Sequence, residues 1–318
     1  MKRLIRELTE KGEFFETVAM DFTGADAEPM MGYRNSPKTL LDIIEAARAH
    51  EDHEFLVYGK RRMSFTQFFA AVDRLAAYFQ SKGLKPGLRL AIAMRNNPEW
   101  LIAFAAGVVT GAVVVPINSW GKRGELLHAL EDCEPLVLVC DSPRAALLNE
   151  ALPAVQFIVS EPDSVSLNAE GRQHTDFAEA LCHAGLRSVA TPQPDELALI
   201  LYTSGSTGAP KGAMHSHRAA TQAIFNMMFT GMLSLSVEGP RRLQGGAVQE
   251  KTLLTVPLFH ATGLLGSFLL PCVTAQTIVM LEKWDPQVAL KLIDEERITL
   301  FSSVPALVKE LLSQPNLG

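Results

Sequence analysis

Apolar residues along the chain recur at two spacings, and the change from one to the other marks out the elements. Leu40 to Ala49 has helical spacing, and Glu54 to Tyr58 is a short run that reads as a strand turning at Gly59. Ser64 and Gln67 stand three apart just before Phe68, Val72, Leu75, Ala76 and Phe79, which share one helical face. That is the form of a capping box, and Gly83 is placed to end the helix. A strand over Leu88 to Met94 follows. A helix then opens at Pro98, with Leu101, Phe104, Ala105 and Val108 on one face, and closes at Gly111 before a strand over Ala112 to Val115. Further on come a helix near Glu125 to Leu130, a strand Leu136 to Cys140, a helix near Arg144 to Glu150 and a strand Val155 to Val159. Strands separated by single helices predict a parallel, doubly wound sheet.

Residues 160 to 194 are polar and carry Pro162, Gly171, Pro192 and Pro194, so an irregular connection with one short helix near Phe177 to Cys182 is expected. A second alternating series follows. Its strands are Leu197 to Tyr202, Thr252 to Val256, Gln276 to Leu281 and Ile298 to Ser302. Its helices lie near His217 to Met232, Thr262 to Leu270, Pro286 to Arg297 and Ala306 to Leu312. Ser234 to Gln249 reads as an exposed loop. The expected architecture is therefore α/β, with two doubly wound, mostly parallel sheets and flanking helices. Its expected divisions are an amino-terminal segment (1–60), a first α/β lobe (61–190) and a second lobe (191–318). No internal repeat is evident.

Composition changes this picture little. Apolar content is 47%, charged content 20% and net charge −6, which gives no reason to expect a nucleic acid or an anionic membrane as partner. The four cysteines show no Cys-x-x-Cys spacing, so a disulfide framework or zinc site is not expected and a reducing cytoplasm fits. Trp100 to Trp120 carries no charge and is long enough to span a bilayer, which takes about 20 residues. Gly107, Gly111, Pro116 and Asn118 break it, however, into a helix followed by a strand. Thr252 to Leu281 is likewise uncharged and is interrupted by Pro257, His260 and Pro271. Both read as buried elements of an α/β core.

The chemistry concentrates after the strand Leu197 to Tyr202. Among the ten residues Thr203 to Gly212, four bear hydroxyls (Thr203, Ser204, Ser206, Thr207) and three are glycine (Gly205, Gly208, Gly212), with Lys211 near the end. Glycines bring backbone N–H groups close to an anion, hydroxyls add donors, and the lysine supplies a mobile charge for phosphate oxygens. This describes a polyphosphate cradle outside the carboxyl end of a strand, where open α/β sheets place ligands. It is not the common P-loop, because Pro210 precedes Lys211 and Gly212 follows it.

Tyr202-Thr-Ser-Gly-Ser-Thr-Gly-Ala-Pro-Lys-Gly212, with Met214-His-Ser-His-Arg218 after it, resembles the signature of the adenylate-forming enzymes of the acyl-CoA synthetase type. The resemblance implies ATP-dependent activation of a carboxylic acid to acyl-AMP and transfer to coenzyme A. ATP, Mg²⁺ and coenzyme A are the implied cofactors. It places Thr203, Ser204, Gly205, Ser206, Thr207, Gly208, Lys211 and Gly212 on the phosphates. Val256-Pro-Leu-Phe-His-Ala-Thr-Gly263 also resembles the family, at the edge of the carboxylate pocket. That implies a substrate site at Phe259, His260, Thr262 and Gly263, with Lys211 and His260 as catalytic residues. Read alone, His260 beside an apolar strand is an ordinary packed histidine.

The apolar helix with Ile224, Phe225, Met227, Met228, Phe229 and Met232 reads as buried or as one wall of an acyl pocket. Pro98 to Trp100, Val115 to Asn118 and Thr299 to Pro305 also resemble the family and are assigned to packing. The resemblance begins near residue 40 and lacks the family's ribose-binding aspartate, adenine-side loop and carboxyl-terminal lysine domain. The expectation is thus the amino-terminal core of the adenylate-forming fold, incomplete, and inactive or nearly so on its own. A non-catalytic nucleotide- or acyl-binding fragment is the alternative. An unrelated NTPase is disfavoured because no acidic residue closes a neighbouring strand. A homodimer is left open.

Overall fold

The computed structural model describes residues 2–20, 29–148, 151–152, 154–160, 174–203, 210–238, 249–281 and 283–315. Helix α1 (Lys2–Thr9) leads to a two-stranded antiparallel ribbon, β1 (Thr17–Met20) and β2 (Met30–Tyr33). Then come α2 (Leu40–Ala46), the hairpin β3 (Glu54–Tyr58) and β4 (Arg61–Ser64), and α3 (Phe65–Ser81). The alternating series is β5 (Arg89–Ala93), α4 (Pro98–Thr110), β6 (Val113–Pro116), α5 (Arg123–Cys133), β7 (Val137–Asp141), α6 (Ser142–Leu148) and β8 (Gln156–Ser160). It closes with β9 (His174–Asp176) and α7 (Phe177–Ala180). The hairpin β10 (Leu197–Thr203) and β11 (Lys211–Ser216) precedes α8 (His217–Glu238) and β12 (Lys251–Leu254). A π-helix (Thr262–Leu269) runs into α9 (Leu270–Thr274), followed by β13 (Thr277–Met280), α10 (Pro286–Glu295) and α11 (Pro305–Leu312).

Local signals act where they were expected. Ser64 and Gln67 form both halves of the capping box at α3. Asn97 caps α4 with Pro98 in its first turn, and Gly111 closes it in the left-handed region at φ 75°. The glycine is needed there because a side chain in that conformation is strained.

The larger sheet has the order β11-β10-β6-β5-β7-β8-β9 and is parallel except for β11. The smaller has the order β12-β13-β3-β4 and is parallel except for β4. The sheets cut across the expected division at residue 190. β10 pairs with β6 of the first series, while β3 pairs with β13 of the second. A strand's pattern states which face it buries but not which neighbour it joins, so chain order put β10 in the wrong sheet and left β3 in the amino-terminal segment without one. Ile298 to Ser302 is no full strand: a bridge between Thr252 and Leu300 is all it contributes. The loop expected from Ser234 begins later, since α8 continues through Glu238. Five strands escaped the pattern: β1, β2, β4, β9 and β11 are short or half exposed.

Five layers result. Helices α5 and α6 cover one face of the larger sheet; α10 and α11 cover the outer face of the smaller one. Between the sheets lie α2, α3, α4, part of α8 and the π-helix. Alternation assigns the faces. Leu90 and Ile92 of β5 point to the middle layer, and Ala91 and Ala93 point to the α5 side. Rings of Phe55, Phe68, Phe268, Phe104 and Trp100 pack in sequence across the middle layer. Each such side chain contributes about 1.5–3 kcal/mol by leaving water. Sandwiching between two sheets explains the uncharged run at 100–110: α4 is buried on nearly every side. Among the described residues no helix is long and apolar enough to cross a membrane.

Candidate active site

The parallel strands of both sheets direct their carboxyl ends to one region, and a cavity of about 590 Å³ opens there. Arg95 and Asn96 follow β5, Trp120 follows β6, Asp141 and Ser160 end β7 and β8, and Thr255 and Leu281 follow β12 and β13. Trp284 and Lys283 close the far wall. Arg144 is buried. Its Nε donates to the Ser119 carbonyl at 2.9 Å, and its Nη1 pairs with Asp141 at 3.1 Å. Asp141 therefore closes a strand, but three strands from β10 in the sheet, and its carboxylate also accepts from the Arg95 backbone N–H. The Arg95 guanidinium lies 5.4 Å from the centroid of the Trp120 ring and has no carboxylate within ion-pair distance among the described residues. Partial burial and the nearby Arg144 charge lower its pKa, so an added anion would be favoured there.

Val256 to Gly263 is held against this region by Asn96. Its amide donates to the Val256 carbonyl and accepts from the Leu258 N–H, both at 3.0 Å. Phe259 is buried and meets Trp120 edge-on, with centroids 5.7 Å apart. The His260 ring leans on Phe259 at 4.6 Å and is exposed, as is Thr262 at the start of the π-helix. Gly263 is buried, and a β-carbon there would stand 2.3 Å from the Pro257 carbonyl oxygen. The turn therefore exists only with glycine at this position. π-Helical turns recur at functional sites; His260 just before this one and Thr262 at its start are exposed, and neither lines the cavity.

The cradle residues Ser204, Gly205, Ser206, Thr207 and Gly208 lie outside the described residues. Those on either side are defined. Thr203 ends β10 and Lys211 begins β11; the two face each other in register, and both are exposed. Gly212 is opposite Tyr202, and a β-carbon there would come within 2.8 Å of Ile200 Cγ2 and 3.3 Å of the Tyr202 ring. The Tyr202 hydroxyl donates to Asp132 at 2.5 Å, and His128 meets the Pro210 carbonyl at 3.1 Å. Burial, followed by the bond to Asp132, raises the Tyr202 pKa. Burial likewise pushes the Cys133 thiol up to about 12.

Sequence reasoning thus found the two motifs and missed what supports them. Asn96, Arg95 and Trp120 flank residues assigned to packing, and Pro98 and Trp100 are indeed buried. The one available signal was the polar Arg95-Asn96-Asn97 run at the carboxyl end of a strand. On α8, Ile224 and Met227 face the middle layer. Phe225, Met228 and Phe229 face Phe15 and Tyr33 of the amino-terminal segment.

The geometry defines an α/β protein with a cavity where two sheets converge; the described residues Thr203 and Lys211 of the hairpin and Phe259 to Gly263 of the turn do not line it. The profile of the AMP-binding enzyme family matches residues 43–318, and the chain belongs to that family. It is 30% identical over 273 residues to a feruloyl-CoA synthase of Amycolatopsis sp, covering 86% of this chain and 50% of the relative. It is 28% identical to a long-chain-fatty-acid–CoA ligase of Bacillus subtilis, covering 88% and 52%. The chain therefore spans about half the length of these relatives. Among solved structures it is similar to the N-terminal domain of FACL13 from Mycobacterium tuberculosis, with TM-score 0.71 and 22% identity, covering 88% and 66%. It also resembles o-succinylbenzoate CoA synthetase from Bacillus subtilis in complex with its acyl-adenylate, with TM-score 0.69 and 23% identity, covering 86% and 64%. These likenesses show the fold, which is that of the amino-terminal domain of FACL13.

Proposed function

We propose that this chain supplies the phosphate-holding and carboxylate-orienting parts of an AMP-forming acid–thiol ligase. The observation that carries the reading is the β10–β11 hairpin. It sets Thr203 and Lys211 opposite each other at the carboxyl end of a parallel sheet, around the residues that match the family signature. In the reaction a carboxylate oxygen attacks the α-phosphorus of ATP, the bond to the β-phosphate oxygen breaks and pyrophosphate leaves. A thiolate, that of coenzyme A, then attacks the acyl carbon and AMP departs. Negative charge grows on the pyrophosphate in the first step. Hydroxyls and backbone amides of residues 203–208 would hold it, with Lys211 neutralising it; one such contact supplies on the order of 2–4 kcal/mol. His260, exposed beside Phe259, would donate to the acyl carboxylate, with Thr262 as a second donor. Lys283 and Arg95, on the cavity rim, offer charge to phosphates of either co-substrate. Mg²⁺ would enter on the ATP phosphates, since no group of three or more His, Cys, Asp or Glu among the described residues converges to hold it.

The relatives named above take aromatic and long-chain acids, and the apolar turn around Phe259 favours an apolar acid here. The contacts of such a reaction are divided between this chain and the length it does not share with its relatives. The isolated 318-residue chain should then bind an acyl-adenylate mimic but exchange pyrophosphate into ATP slowly. The test is thermal stabilisation by ATP, a panel of acids and non-hydrolysable acyl-adenylates, run beside a pyrophosphate-exchange assay. No stabilisation by any adenylate would overturn the site. Rapid exchange by the chain alone would overturn only its predicted slowness.

A further inference from the structure

We propose that helix α5 positions the phosphate hairpin through two residues one turn apart, His128 and Asp132. This extends the reading of that hairpin as a phosphate holder and rests on it. The two residues stand four apart on α5, so they project from one side of the helix. Each engages a different strand of the hairpin. Asp132 accepts from the hydroxyl of Tyr202, the residue before Thr203. His128 contacts the carbonyl of Pro210, the residue before Lys211. A carbonyl can only accept, so Nε2 of His128 carries the proton and donates.

Because Thr203 and Lys211 are register partners, the two contacts fix both sides of the same rung. Gly212 completes the arrangement. A β-carbon there would clash with Ile200 Cγ2 at 2.8 Å and press on the Tyr202 ring at 3.3 Å. Gly212 thus leaves room for Ile200 and the Tyr202 ring. The buried body of α5 is anchored independently: Leu126, Ala129, Leu130 and Cys133 pack on Ala91, Ala93, Leu138 and Cys140 of the central strands. The helix is therefore a rigid support, and the hairpin is fastened to it. Neither His128 nor Asp132 reaches ligand in this arrangement; both are positioning residues that act through Thr203 and Lys211.

Titration calorimetry on the 318-residue chain, with MgATP, Mg-pyrophosphate and AMP, tests the proposal. The variants are His128→Ala, His128→Gln, Asp132→Ala, Tyr202→Phe and Lys211→Ala. Loss of either contact should weaken ATP and pyrophosphate binding about fivefold, the worth of one net hydrogen bond. AMP, which lacks the β and γ groups, should bind unchanged. His128→Gln keeps an N–H donor and should restore most of the loss. In a Lys211→Ala background the His128→Ala loss should shrink, because the effect passes through that lysine. Equal weakening of AMP and ATP would mean a general structural role and overturn the proposal. Unchanged ATP binding in all the α5 variants, with a loss in Lys211→Ala, would overturn it while leaving the phosphate reading intact. Failure of the parent chain to bind ATP or pyrophosphate would overturn both. His128→Gln and Tyr202→Phe keep nearly the parent side-chain volumes and guard against a variant that fails to fold.

Discussion

The two halves of the candidate site are held in opposite ways. The turn Val256 to Gly263 is locked into the core. Asn96 ties its backbone twice, Phe259 is buried, and Gly263 has no space for one more carbon. The β10–β11 hairpin stands at the edge of its sheet with Thr203 and Lys211 exposed, and side-chain contacts to the surface of α5 fasten it. A group that orients a carboxylate gains from a fixed position. The hairpin depends instead on two side-chain contacts to a helix surface, and edge strands with few buried contacts have low local stability. Buried packing therefore holds one half, and surface contacts hold the other.

Substitutions that treat the two halves alike should expose the difference. Gly263→Ala drives a β-carbon into the Pro257 carbonyl, which is backbone and cannot swing aside. We expect a loss of about 3 kcal/mol in chemical denaturation. A loss under 1 kcal/mol would mean that the turn is softer than described. Asn96→Ala leaves the Val256 carbonyl and the Leu258 N–H without their partner, at about 2 kcal/mol by the same measurement. Gly212→Ala, the matching glycine of the hairpin, meets only side chains of Ile200 and Tyr202. It should cost about 1 kcal/mol, with weakened pyrophosphate binding as its larger effect.

The smallest expected effect concerns His217, where β11 passes into α8. Its Nδ1 accepts from the Leu40 N–H, so the folded state needs the neutral ring, and burial lowers its pKa from the usual 6.5. Glu196 and Asp42 face it and oppose that shift without cancelling it. The unfolded chain binds the proton first as pH falls below 6.5, so the stability from this group is full above that value and declines towards pH 5. The lowered carboxylates of Glu54, Asp195 and Glu296 lose their share only below about pH 4.5. Urea midpoints measured from pH 7.5 to 5 should fall for the parent and stay flatter for His217→Asn. An equal slope in both would remove His217 as the cause.

Much of the architecture was legible in the chain because its signals are local. The Ser64–Gln67 box, Pro98 after Asn97, and Gly111 each satisfy or release backbone groups within a few residues, and no distant partner is needed. The two motifs were legible for a similar reason. A run of hydroxyls, glycines and one lysine, or Pro-Leu-Phe-His with its glycine, keeps its donors together wherever the strand is placed.

Pairing and support were decided only by the folded molecule. β3 and β10 each joined the sheet of the other half of the chain, because backbone hydrogen-bonding groups are the same at every strand and carry no label for a partner. Asn96 finds Val256 across 160 residues, and His128 finds Pro210 across 82. Such contacts follow from how the layers stack, a property of summed packing across five layers. The chain by itself determined where the two motifs and the local caps lie; only the tertiary structure determined which neighbours pack against them.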